Sequence, residues 1–134
     1  MPDGQLRFFV DESVMGVGKA LAIARRDVVH PGHPLIPEVP TGTLDPDWIP
    51  VVAAKELVVI ARDRHIRTKP VERELLRSQG LRVFWIAGKR DLSNWHNLKL
   101  LIRHWERIES IIGDCGDGPW FQAISEHSIT EIPV

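Results

Sequence analysis

Asp11, Asp45 and Asp63 are the residues of this chain whose types and spacing could do chemistry. Asp11 ends the apolar run Arg7-Phe8-Phe9-Val10 and is followed at once by Glu12. Asp63 ends a second run, Leu57-Val58-Val59-Ile60-Ala61-Arg62. Asp45 opens the segment Asp45-Pro46-Asp47-Trp48. Carboxylates clustered without a cation repel one another, and some then keep protons near neutral pH. A hard divalent cation relieves that repulsion, and all-oxygen donors suit Mg²⁺ or Mn²⁺ rather than zinc. Such an ion can bridge a phosphate and supply a water nucleophile, so the set suits hydrolysis of a phosphodiester. Glu12 and Asp47 are the next ligand candidates, with Glu72 behind them.

The elements around these residues must bring them together. The two apolar runs read as strands buried on both faces. In open α/β sheets, ligands bind outside the carboxyl ends of such strands. If the runs are parallel neighbours, Asp11 and Asp63 project from one edge. Ser13 is placed to cap a helix from about Val14 to Arg26, and Asp27 to His30 is a short second strand. A loop with four prolines, Pro31 to Gly42, leads to a helix ending near Lys55. Asp45 is well placed as its N-cap, with Pro46 at the first helical position. That reading of Asp45 competes with a ligand role.

A helix from Pro70 to about Gln79 and a strand from Leu81 to Ile86 come next. Ser93 caps the longest helix, which is expected to end at Gly113. Trp95, Leu98, Leu101, Ile102, Trp105, Ile108 and Ile112 recur at spacings of three and four and form its expected apolar face. Lys99, Arg103 and Arg107 lie four apart on another face, the pattern of a solvated surface. Trp120–Ile124 and Ile129–Ile132 read as a terminal hairpin. Alternation of strands and helices predicts an α/β fold of three layers with a mostly parallel central sheet.

Composition sets the limits. A chain of 134 residues with 43% hydrophobic and 26% charged content is one globular domain with room for a core. The net charge of −1 does not announce a nucleic-acid binder, but a local basic face can coexist with an acidic pocket. The single cysteine, Cys115, precludes an internal disulfide and suits a reducing compartment. No segment reaches the roughly 18 apolar residues of a membrane span, so a cytoplasmic location and no membrane partner are expected.

Two other motifs carry less. Gly16-Val17-Gly18-Lys19 looks like a phosphate loop, but it lacks the spaced first glycine and a Ser or Thr after the lysine. Helix packing explains it better. His30 and His33 have no third histidine or cysteine nearby, so a zinc site is disfavoured. The basic run Arg62, Arg64, His65, Arg67 and Lys69 surrounds Asp63. Beside an acidic site, Arg64, Arg67 and Lys69 become candidates for phosphate contacts.

Taken together, Phe8-Phe9-Val10-Asp11-Glu12, Asp45-Pro46-Asp47-Trp48 and Val58-Val59-Ile60-Ala61-Arg62-Asp63-Arg64-His65-Ile66 resemble the three acidic motifs of PIN-like domains. The compact branch of VapC-type toxins is the nearest in pattern, over residues 7–86, and Gly118-Pro119-Trp120-Phe121 with the hairpin is similar to its tail. The resemblance implies a single PIN-like domain over 1–134, with a C-terminal helix and hairpin from about 93. It implies a Mg²⁺- or Mn²⁺-dependent ribonuclease with Asp11, Asp45 and Asp63 as catalytic metal ligands. It also implies an RNA substrate and a cognate antitoxin of a type II toxin–antitoxin pair. The apolar tail could support a homodimer. The chain departs from the pattern at Ala61, where the family often has Ser or Thr, and a fourth carboxylate has no unique counterpart.

Two alternatives remain open on sequence. A catalytically silent PIN-like module would bind RNA or protein without turnover, as Ala61 suggests. A receiver-type phosphoacceptor would phosphorylate Asp63, bind Mg²⁺ at Asp11 and Glu12 and use Lys89, but would leave Asp45 and the basic run without a role.

Overall fold

The structure, a computed structural model, describes residues 5–62, 68–88 and 93–134. Asp63, Arg64, Arg67 and Lys89 therefore lie outside the described residues. Six strands form one sheet: β1 (Phe8–Val10), β2 (Val28–Val29), β3 (Val58–Ala61), β4 (Arg82–Ile86), β5 (Trp120–Ile124) and β6 (Ile129–Ile132). Their order is β2-β1-β3-β4-β5-β6; the first five are parallel and β6 runs antiparallel to β5. Four helices complete the described fold: α1 (Met15–Ala24), α2 (Asp45–Ala54), α3 (Pro70–Ser78) and α4 (Asn94–Cys115).

Alternation along each strand divides the core. Phe8, Val10, Val58, Ile60, Phe84 and Ile86 face Val14, Val17 and Leu21 before and in α1, and Leu100, Leu101, Ile108 and Ile111 of α4. Phe9, Val59, Ala61, Val83 and Trp85 face Trp48, Ile49 and Val52 of α2 and Leu76 of α3. The result is the expected three-layer α/β arrangement with a mostly parallel sheet. Both faces of β1 are fully buried, which is why its sequence is an unbroken apolar run. Each such large side chain contributes about 1.5–3 kcal/mol on burial.

Several boundaries differ from the sequence reading. Ser13 does not cap α1; a short 3₁₀ turn, Glu12–Val14, precedes it, and the Asp11 side chain caps that turn. Asp45 is not the N-cap of α2 but its first residue, and the cap position, Leu44, makes no side-chain cap bond. α4 runs through Gly113 to Cys115, and Gly116, at φ 64°, ends it. Gly113 costs helix propensity but breaks no hydrogen bond, so packing of the long helix carries it through.

The apolar face expected for α4 meets the core through Leu98, Leu101, Trp105, Ile108 and Ile112, but two of its members do not. Trp95 is 67% exposed and Ile102 61% exposed, whereas Asn97, Leu100, Leu101, Ile108 and Ile111 are buried. The buried face extends instead to Asn97, Leu100 and Ile111, so Trp95 and Ile102 fall at its outer margin; Asn97 disguised that side because it is polar.

Glycines fix the approach of α1. A Cβ on Gly18 would stand 3.1 Å from Val10 and 3.2 Å from His30. The glycine pair of the loop-like Gly16-Val17-Gly18-Lys19 therefore serves helix packing, with Gly16 under the Asn94 side chain.

Candidate active site

The strand order reverses direction between β1 and β3, and this switch point is where an open α/β sheet offers a crevice at its carboxyl edge. Phe9 pairs with Val59 and Val10 with Ile60, so Asp11 leaves the sheet beside Ala61, one residue before Arg62. The Asp11 backbone N–H still donates to Ile60 O at 2.9 Å, extending the ladder one residue past β1.

Asp11 is 7% exposed. Its Oδ2 accepts from the Ser13 backbone N–H at 3.1 Å. Burial raises its proton affinity above the usual carboxylate range, hydrogen bonds from Ser13 oppose the rise, and the nearby charge of Asp45 adds to it. The 3₁₀ turn explains the burial: it folds residues 12–14 back over the end of β1 instead of letting the chain run outward.

Asp45 is brought into range by the first turn of α2. Pro46 and Asp47 follow it there, and an acidic first turn favours the helix dipole. Its Oδ1 accepts from Trp48 Nε1 at 2.9 Å, and Trp48 is anchored by stacking on Phe9, with ring centroids 5.0 Å apart. A β1 side chain thus positions an α2 carboxylate through one tryptophan.

Of the other candidates, Glu12 is turned aside. It is exposed, and its Oε1 accepts from Gly42 N–H at 2.7 Å, pinning the proline loop three residues before Asp45. Asp47 is exposed on the same turn as Asp45, and Glu72 is half-buried in the first turn of α3. Lys69 is exposed at the start of α3. The structure brings together Asp11 and Asp45; Asp63, Arg64 and Arg67 lie outside the described residues, and Asp63 follows directly on Arg62.

Ser13 is a site residue that sequence reading took for a cap. Its Oγ accepts the Arg62 backbone N–H at 3.0 Å, so its own proton is available to the Asp11 carboxylate. The chain Arg62 N–H to Ser13 O–H to Asp11 links the ends of β1 and β3. Its only sequence signal was a hydroxyl two residues after a strand-end aspartate.

His30 and His33 do not form a metal site. His30 is buried with Nδ1 2.8 Å from Pro31 O, and the rings meet edge-on at 5.2 Å. His33 Nδ1 accepts Leu35 N–H, and burial, then His30, lowers its pKa. Among the described residues no group of three or more His, Cys, Asp or Glu is placed to hold a metal ion. The described part of the site is a carboxylate pair, one member buried and holding its proton unusually well. Such a pair fits a hard divalent cation by its donor chemistry.

A cavity of about 520 Å³ opens at the opposite edge, where Arg7, Val58 and Arg82 begin the strands. There Arg82 donates to the Glu56 backbone carbonyl at 2.7 Å, and Arg7 pairs with Glu109. Asp11 and Asp45 do not line it.

A mostly parallel sheet that reverses its strand order, with Asp11 and Asp45 at the switch point, defines an α/β domain with an acidic crevice. Residues 6–88 match the family described as PIN like domain, and the chain belongs to that family. No curated protein and no solved structure matches the chain. Among the described residues no helix is long and apolar enough to cross a membrane.

Proposed function

We propose that this PIN-like domain is a divalent-metal-dependent ribonuclease, the toxin of a type II toxin–antitoxin pair acting in the cytoplasm. The observation that carries the reading is the pairing of buried Asp11 with Asp45 at the switch point of the sheet. Asp11, Asp45 and Asp63 would hold Mg²⁺ or Mn²⁺, which when bound supplies a water nucleophile and neutralises phosphate charge. The chain's own residues set the stage. Ser13 orients Asp11, Trp48 orients Asp45, and Glu12 holds the loop that delivers α2. Arg64, Arg67 and Lys69 would hold the RNA backbone, giving salt-dependent affinity.

The silent-module alternative rests on Ala61, a buried methyl near the end of β3. Ser13 favours the active reading, because it supplies a hydroxyl to the same strand ends from β1's side. Family membership leaves the receiver-type alternative without support. The toxin assignment rests on motif resemblance to VapC-type proteins; its partner would be the antitoxin, and the apolar tail could serve a homodimer.

Calorimetric titration of Mn²⁺ into wild type, Asp11→Asn, Asp45→Asn and Asp63→Asn tests the site. The reading expects each substitution to weaken binding while the fold survives. Unchanged affinity in Asp11→Asn would refute it.

A further inference from the structure

The outward face of α4 has no role in the site as described, yet it begins at the same sheet edge. α4 follows β4 from its carboxyl end, and the Asn94 side chain lies directly on Gly16, in the first turn of α1. Asp11 is five residues before Gly16, across the 3₁₀ turn. Trp95, the next residue of α4, is 67% exposed, while Trp48, Trp85 and Trp120 are buried. A mostly exposed indole at the rim of a site is costly to solubility and contributes nothing to the core.

Trp95 also heads a row. Lys99, Arg103 and Arg107 follow it at intervals of four residues, and all four side chains are exposed. A row at that interval winds round the helix by about 40° per step, so Lys99 stands beside Trp95, about 6 Å further along the axis, whereas Arg107 is about 120° round from it. Arg103 Nη1 is held by Glu126 Oε1 at 3.1 Å, and Glu106 flanks the lower half of the row. Lys99 is therefore the cation next to the indole, exposed and one helical turn along, while Arg103 is engaged by Glu126.

An aromatic plane followed by cations is the pattern by which proteins hold single-stranded nucleic acid: a base stacks, and the backbone tracks the charges. We propose that Trp95 and Lys99 form a subsite for one unstacked nucleotide of a single-stranded RNA, the base on the indole and its phosphate on the ammonium. The proposal rests on the nuclease reading for the kind of substrate. It adds a second contact region on α4, in the layer that also holds α1. Ile102, exposed on the same face, makes a protein contact the competing occupant.

The test uses the full chain in EDTA and a fluorescein-labelled oligouridylate of about 12 nucleotides, within the span a single small domain covers. Anisotropy should report roughly 5- to 100-fold weaker binding for Trp95→Ala, and near-normal binding for Trp95→Phe. Lys99→Ala should reduce the log–log salt slope by about 0.7, and Arg103→Ala by less, because Glu126 already occupies it. Equal binding by Trp95→Ala and wild type overturns the subsite, as does failure of wild type to bind. So does a Trp95→Ala variant that keeps RNA affinity and loses only self-association in sedimentation, which would make the face a protein contact. Mn²⁺ titration of Asp11→Asn separates the two claims. Asp11-dependent Mn²⁺ binding without Trp95-dependent RNA binding ends the subsite and leaves the nuclease; the converse ends the nuclease and leaves the subsite.

Discussion

The Ser13 hydroxyl accepts the backbone N–H of Arg62 at 3.0 Å and so ties the turn after β1 to the end of β3. This bond joins the two strand ends through a side chain and reaches the residue directly before Asp63. Ser13→Ala should cost about 0.5–1.5 kcal/mol of stability, the net worth of such a bond. It should also raise the Asp11 pKa further, since the hydroxyl lowers it now. Carboxyl chemical shifts across a pH titration check the second effect; Ser13→Thr should restore both.

Burial raises the proton affinity of Asp11 first, and the charge of Asp45 adds to it. The folded state then binds a proton that the unfolded chain has lost, so stability declines as pH rises from the ordinary value of 3.8 through the raised one. Asp11→Asn removes that penalty. In metal-free buffer it should melt above wild type at neutral pH, and the gap should close below the ordinary aspartate pKa. Mn²⁺ should then stabilise wild type and leave Asp11→Asn unmoved, which thermal melts at several pH values will show.

Asp45 separates its roles by two substitutions. Asn keeps an oxygen for Trp48 Nε1, so Asp45→Asn should hold its melting temperature while losing Mn²⁺ affinity. Ala leaves the indole N–H of a tryptophan that is 2% exposed without its acceptor, which should cost about 1–3 kcal/mol. Denaturant midpoints of the pair give the difference.

Much of this was legible in the chain. Phe8 to Val10 and Val58 to Ala61 announced themselves because strands buried on both faces must be apolar throughout. Asp11 and Asp45 stood out as acids at element ends. What was hidden depended on tertiary choice. Asp45 and Ser13 both look like caps locally, and their hydrogen bonds to Trp48 and Arg62 cannot be read from local sequence. On α4 most of the apolar face was legible, but a buried Asn97 hid its true centre, so Trp95 and Ile102 were counted with the core.

Gly18 and Gly113, both helical, should respond oppositely. Gly18→Ala would press a methyl against Val10 and His30 at 3.1–3.2 Å and should destabilise by about 1–3 kcal/mol through overpacking. Gly113 has open space where its Cβ would go, so Gly113→Ala should stabilise by about 0.5–1 kcal/mol. Urea unfolding of both variants tests how closely α1 must approach the site's strand.

The central claim is cleavage of RNA at the Asp11–Asp45 site, and a labelled single-stranded RNA incubated with Mn²⁺ measures it directly. The account predicts cutting by wild type, none after EDTA, and none by folded Asp11→Asn. Cutting by Asp11→Asn at the wild-type rate, or by wild type in EDTA, would contradict it.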